Sequence, residues 1–227
     1  MAVGNGQRGV LLAQCMAWLL ILFALTACKN DPLSGAKDPK DDSWNLDYIG
    51  PSYMSGWVEQ ITVEDMKGRW FRGPGGALGS GDPGLRKEYA RGWGTLGRNL
   101  YPITGADLPK RIFVRWQSVV EQKTYKGWIE IPENARSIMR GSTARRCPDW
   151  PNDAANYSAL AIIGVAPGGV IKAWVKDNCL GRVLVSSAQA EIEPLGPFQG
   201  KSDGKYSPQE EPSKRYVERY GIPYGSW

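Results

Sequence analysis

The sequence predicts a mainly β protein, an antiparallel β-sandwich or curled sheet with one short helix and a C-terminal helical turn. Three observations carry this. Several segments alternate apolar and polar residues with period two, as half-buried strands do. The 227 residues include 28 glycines and 16 prolines, enough to break the chain into short elements. A single segment inside the body has helical start and stop signals, and no internal repeat suggests a solenoid or propeller.

Taken in order, Trp57 to Val63 is an early strand. In Arg111–Val119, Ile112, Val114 and Trp116 share one face while Arg111, Arg115 and Gln117 take the other. Thr124–Ile131 alternates again, with Tyr125, Ile129 and Ile131 set against Lys126, Trp128 and Glu130. The four residues between them, Val120 to Lys123, suit a hairpin connection. Leu160–Val165 is continuously apolar, as expected of a central strand. The run Ala-Pro-Gly-Gly-Val that follows turns the chain into Val170–Lys176, and Val183–Ile192 reads as one further long strand. Glu133–Arg140 follows Pro132 and stops at Gly141, which marks the helix. Ser213–Tyr220 offers one or two helical turns with Tyr216, Val217 and Tyr220 on one face and Gly221 as the stop.

The N-terminus has another character. One basic residue, Arg8, precedes an apolar run from Val10 to Ala27 broken only by Gln14 and Thr26. Its core, Met16–Leu25, has the length of a signal-peptide core and is short for a membrane span. The last four residues, Leu25-Thr26-Ala27-Cys28, resemble the bacterial lipobox, in which the cysteine thiol is lipidated and the chain is cut just before it. Residues 1–27 are therefore expected to be a lipoprotein signal peptide, Cys28 the lipidation site, and 28–43 a flexible tether, polar and with two prolines. The β-rich domain is expected over 44–199 and a polar tail with a short helix over 200–227. Several acyl chains, at about 0.8 kcal/mol per buried methylene, hold a protein on a bilayer durably. Lys29 after the anchor, by resemblance to lipoprotein sorting rules, favours the outer membrane, with the domain facing the periplasm.

Without residues 1–27 the chain carries 27 basic and 23 acidic residues, a formal charge of +4. The basic residues are scattered among acids, so nothing suggests a nucleic-acid groove. Two thiols remain after Cys15 and Cys28 are set aside, Cys147 and Cys179. In an oxidising compartment an isolated pair reads as a disulfide, which would contribute about 3–4 kcal/mol in the chain-entropy model. A metal site or a redox pair are the alternatives, and a zinc shell would lack histidine to complete it.

Histidine is absent from the whole sequence, which removes Ser-His-Asp and Cys-His catalysis and the usual near-neutral proton shuttle. Gly79-Ser80-Gly81-Asp82-Pro83-Gly84 fits G-x-G-x-x-G but follows a glycine-rich loop rather than a strand. Ser34–Lys37 and Ser202–Lys205 match Ser-x-x-Lys in segments that cannot hold a dyad in register. Ser118 lies mid-strand without a base, and Glu191 with Glu193 reads as a solvated strand face. No cofactor is expected. Tryptophan is abundant, and Trp70 and Trp93 sit among glycine and arginine, the composition of partner-binding hot spots and of sugar-stacking platforms. The candidate partner-binding residues are Arg69, Trp70, Arg72, Arg91, Trp93 and Arg98.

At Leu108–Pro132, with its Trp-Gln-Ser, Glu121 and Thr-Tyr, and at Gly164–Cys179, with its Gly-Gly hairpin, the chain resembles a family of proteobacterial lipoproteins catalogued as domain of unknown function 2931. Gln122 stands where a proline is common in that family. The resemblance implies an immunity role: a periplasmic lipoprotein that binds and neutralises a secreted type VI phospholipase effector, without catalytic residues of its own. The alternative is a non-catalytic structural or glycan-binding envelope lipoprotein that uses surface aromatics.

Overall fold

The computed structural model describes residues 43–78, 92–93, 100–140, 159–176 and 181–227. Two sheets pack face to face. The first has strand order β10-β9-β8-β1-β5, built from β1 (Trp44–Ile49), β5 (Tyr101–Ile103), β8 (Leu160–Ala166), β9 (Val170–Lys176) and β10 (Val183–Gln189). The second has order β11-β7-β6-β2-β3, from β2 (Gly56–Asp65), β3 (Trp70–Gly73), β6 (Pro109–Ser118), β7 (Lys123–Glu130) and β11 (Glu191–Ile192), with the two-residue β4 (Gly76–Ala77) also on β2. Pairing is antiparallel except between β1 and β8, which run parallel from Asn45↔Leu160 to Ile49↔Gly164. Helix α1 (Glu133–Arg140) and helix α2 (Glu211–Tyr220) lie outside the sheets. Among the described residues no helix is long and apolar enough to cross a membrane.

Period-two patterning explains the core. In β6, Ile112, Val114 and Trp116 are buried; in β7, Tyr125 and Ile129; in β2, Val58, Ile61 and Val63. From the first sheet Leu46 and Tyr48 of β1, Ala161, Ile163 and Val165 of β8, and Ile171, Ala173 and Val175 of β9 join the same cluster. Two register shifts, between Val58 and Gln60 and between Glu64 and Asp65, interrupt the pairing of the ten-residue β2 with β6. Helix α1 starts after Pro132 and is tied down by Arg136, which donates to the carbonyls of Pro109 and Ile131. Glu133 bonds both Arg136 and Arg140, and their hydrogen bonds, Arg140 first, hold its carboxyl below the usual range.

The fold class and the strands at Trp57, Arg111, Thr124, Leu160 and Val170 stand as the patterning predicts. Three features go beyond it. The strand expected over Val183–Ile192 is divided: β10 pairs with β9 in the first sheet, and after Ala190 the chain enters the second sheet as β11 against β7. Ala190 is buried at this corner, and its N–H donates to the Gly169 carbonyl at 2.7 Å. Strand β1, which shows no long alternation, is held centrally by Leu46 and Tyr48 and by its parallel ladder to β8.

The third feature is the tail. Composition places residues 200–227 outside the domain, yet they pack on it. Tyr216 stacks on Tyr53 with ring centroids 4.8 Å apart, and both are buried with Met54, Ala166 and Trp227. Trp227 Nε1 donates to the Pro167 carbonyl at 3.1 Å, and Tyr224 Oη donates to Glu121 Oε1 at 2.9 Å. Two buried aromatic side chains of this polar stretch, Tyr216 and Trp227, supply the apolar area that its average composition conceals.

Glu121 is the hub of this end. It also accepts from Tyr125 Oη and from the Gly168 N–H, both at 3.1 Å, so it joins the β6–β7 turn, the β8–β9 turn and the C-terminus. Gly168 and Gly169 have φ of 80° and 77°, a region side chains rarely adopt, and this frees the Gly168 N–H to face the carboxylate. Gln122 has φ 53°, a conformation closed to proline. Burial, with Glu121 beside them, raises the Tyr125 phenol well above its ordinary value and that of Tyr224 to about 12.

Two predictions follow from the packing. Replacing Trp227 with alanine should lower stability by about 3 kcal/mol, the cost of emptying a buried aromatic site; denaturant unfolding measures it, and an unchanged midpoint would return the C-terminus to the status of a tail. The second concerns Asp47, which is 1% exposed, accepts from the Tyr48 N–H at Oδ1 and has no partner at Oδ2. Burial pushes its carboxyl from 3.8 up to about 6. The folded chain therefore favours the neutral acid, so this contribution to stability is present below pH 3.8 and lost as pH rises through about 6. Asp47→Asn should make stability fall more steeply between pH 7.5 and pH 4, by about 2 kcal/mol; parallel pH profiles for the two proteins would contradict the assignment.

Candidate functional site

The strand registers place the outward side chains of the second sheet in rows. Trp70, Glu64, Arg111 and Glu130 form one row across β3, β2, β6 and β7. Arg72, Thr62, Phe113 and Trp128 form the next. Gln60, Arg115, Lys126 and Glu191 form the third, which reaches β11. These are the alternate positions to the core residues of the same strands, so the pattern that buries Ile112 and Val114 also presents Arg111 and Phe113.

Aromatic groups are concentrated in the first two rows. Trp70 is 58% exposed and stands edge-on to Trp128 with centroids 5.6 Å apart. Phe113 packs beside Trp128 at 5.3 Å, and the Arg111 guanidinium lies over the Trp128 ring at 4.3 Å. Glu64 fixes Arg111 at 2.5 Å and Lys110 at 3.1 Å, and these hydrogen bonds, Arg111 first, hold the Glu64 carboxyl below its usual range. An indole held on several sides at once loses little freedom when a partner covers it.

The third row is closed over. Arg115 Nε bonds Glu59 Oε2 at 2.9 Å, with both side chains nearly buried. Glu59 also accepts from Gln117 Nε2 and from the Phe198 N–H, and Gln117 Oε1 accepts from the Ser207 N–H. The chain after β11 thus crosses this end of the sheet and leaves the Trp70 end open. Between them lies a groove of about 530 Å³ lined by Phe113, Arg115, Lys126, Trp128, Glu191 and Gln199. Glu193 is buried and pairs with Lys126 at 3.4 Å, while Glu191 is exposed, so the expected solvated pair is divided between the two environments.

The sequence-derived contact residues do not form one patch. Trp70 and Arg72 lie on the open face. Arg69 turns aside: its side chain bonds Asp65 at 2.7 Å and lies over Phe71. Burial works to raise the Asp65 carboxyl, but the Arg69 and Asp107 backbone N–H bonds and the Arg69 side chain outweigh it, so the acid is held low. Trp93 belongs to the opposite face of the sandwich, against Trp174 at 5.0 Å and over Ile49 and Ile162 of the first sheet. Gly164 makes room for it, since a Cβ there would come within 2.6 Å of both indoles. Arg91, Arg98, Cys28, Cys147 and Cys179 lie outside the described residues.

The residues that sequence reasoning did not single out are Arg111, Phe113 and Glu130. Glu64 with Asp65 reads in the sequence as a neighbouring carboxylate pair on a solvated face, but both are buried and each is tied to an arginine. The signal of the outward residues was present as the alternate half of each strand pattern, but which of them meet depends on cross-strand register. As for chemistry, the Ser118 hydroxyl is buried and has no hydrogen-bond partner among the described residues. Among the described residues no cluster of three or more metal-ligating side chains occurs.

A family model described as a protein of unknown function, DUF2931, matches residues 29–225. No curated protein and no solved structure matches the chain. The match runs from just after Cys28 to within two residues of the C-terminus, consistent with residues 200–227 as part of the domain.

The ion pairs of the face differ in what they support. Glu59→Ala leaves Arg115 buried and unpaired and should cost about 3–4 kcal/mol, whereas Glu64→Gln, whose partners Lys110 and Arg111 reach solvent, should cost clearly less. Chemical denaturation of the two variants checks this; equal losses would mean that the Trp70 end is as closed as the Arg115 end.

Proposed function

The chain belongs to this family of unknown function, and we propose that it is an exported, lipid-anchored envelope protein that binds and neutralises a secreted phospholipase effector. The observation that carries a binding role is the open Trp70–Trp128–Phe113 face, fixed in place by Arg111 and Glu64. The identity of the partner comes from the family resemblance at Leu108–Pro132 and Gly164–Cys179.

The physical requirements of such a role are modest. An inhibitor needs no reacting groups; it needs a rigid surface, presented where the enzyme arrives. Lipidation at Cys28 and outer-membrane retention would supply the place, since tethering raises the effective concentration against a membrane-attacking enzyme. The sandwich supplies rigidity. A purely glycan-binding role is less well served, because the Arg111 guanidinium already lies over the Trp128 ring on which a sugar would stack.

The test is survival. Cells exporting the phospholipase that the family resemblance implies is encoded beside this gene should die unless this protein is present, and the pair should co-purify. Death despite its presence, together with failure to co-purify, would end the proposal. Cys28→Ala should abolish membrane retention and weaken protection several-fold; full protection by a soluble, unacylated protein would remove the anchor from the account.

A further inference from the structure

The charges of the open face are nearly all spoken for. Lys110 and Arg111 are held by Glu64, Arg115 by Glu59, and Lys126 by Glu191 and Glu193. Two groups are left over. Among the described residues Arg72 on β3 has no carboxylate partner, and Glu130 on β7 has no cation. They lie at opposite sides of the aromatic cluster, three strand spacings and one row apart, about 15 Å between their backbones.

A face whose described residues leave one cation and one anion unpaired is a poor match for a polyanion. An anionic membrane surface or a nucleic acid gains from many unpaired cations at once, and here the others are already neutralised. What the arrangement fits is a dipolar protein surface. Trp70 projects from an edge strand, 58% exposed, with Trp128 and Phe113 as a fixed floor beside it. Aromatic residues and arginine in such a setting are the residues that dominate protein interfaces.

We infer that the partner is a folded protein that seats an apolar socket over Trp70, with a carboxylate facing Arg72 and a cation facing Glu130. This rests on the effector-binding reading and specifies its chemistry and its polarity. The two free charges set the direction of docking, because rotating the partner by half a turn would bring like charges together. Such juxtapositions are costly at interfaces and give specificity more than affinity.

The experiment measures binding between the protein purified from cells expressing the full chain and the secreted phospholipase that the reading places beside it in the genome. Trp70→Ala should weaken binding about 30-fold or more. Arg72→Glu and Glu130→Lys should each weaken it about tenfold, while Lys110→Glu, a neighbouring cation that already has its partner, should change it less than about threefold. Unfolding midpoints of the exposed-site variants should match the wild type, separating docking from stability. Wild-type binding with all four variants unaffected would overturn the inference and leave the effector-binding reading standing. Equal losses on Arg72→Glu and Lys110→Glu would show a diffuse basic surface instead of a dipolar one, and would also overturn it. No binding by the wild type would remove both.

Discussion

The register of β2, β6 and β7 is the constraint on which the rest depends. Side chains alternate with period two, so a slip of one residue in the β6–β7 pairing would turn every side chain of the strand to the other side. Ile112, Val114 and Trp116 would then face water, and Arg111, Phe113 and Arg115 would be driven between the sheets. Burying three aliphatic or aromatic side chains at about 1.5–3 kcal/mol each fixes the register against that alternative. The open face is the other side of the same decision. Its rows of Trp70, Arg111 and Glu130, and of Arg72, Phe113 and Trp128, exist because the core fixes which residues stand opposite one another.

The two outer faces are not equivalent: one is covered and the other is partly open. On the first sheet Ile49, Ile162 and Trp174 are buried, with Trp93 packed against them. On the second, the segment that leaves β11 covers the Arg115 and Gln117 end through Phe198 and Ser207 and goes no further. The C-terminus is then drawn to the end of the sandwich, where Glu121 gathers Tyr125, Tyr224 and Gly168. The residues that carry the family resemblance fall largely in this assembly: Trp116 stacks on Tyr125, Gln117 holds Ser207, and Glu121 joins two turns. Their work is architectural, and the surface beside them is left free for recognition.

Much of this was legible in the sequence wherever one face of a strand is buried and the other wet. The alternations at Ile112–Trp116 and Tyr125–Ile131 name their own inward residues, and Pro132 marks the start of α1. The pattern fails where pairing is non-local. Strand β1 is central through its parallel ladder to β8 more than a hundred residues away, and the division at Ala190 answers to the corner between sheets, which leaves little trace in hydropathy. The tail misleads because two buried aromatics, Tyr216 and Trp227, outweigh a polar average. For the site, Trp70 and Arg72 are readable as residues, but their neighbours Arg111, Phe113 and Trp128 come from strands about forty to sixty positions away. Trp93, in a similar glycine- and arginine-rich setting, goes to the opposite face.

The account reduces to the claim that one sheet face, prepared by register and held by cation–π and ionic contacts, is where this protein meets its partner. Hydrogen–deuterium exchange of the protein with and without the phospholipase tests that most directly. The account predicts slowed exchange at the edge strand Trp70–Gly73 and at its connection to β2, with the Trp93–Trp174 side unchanged. Protection confined to the first sheet or to the C-terminal segment, with Trp70–Gly73 exchanging as in the free protein, would contradict it.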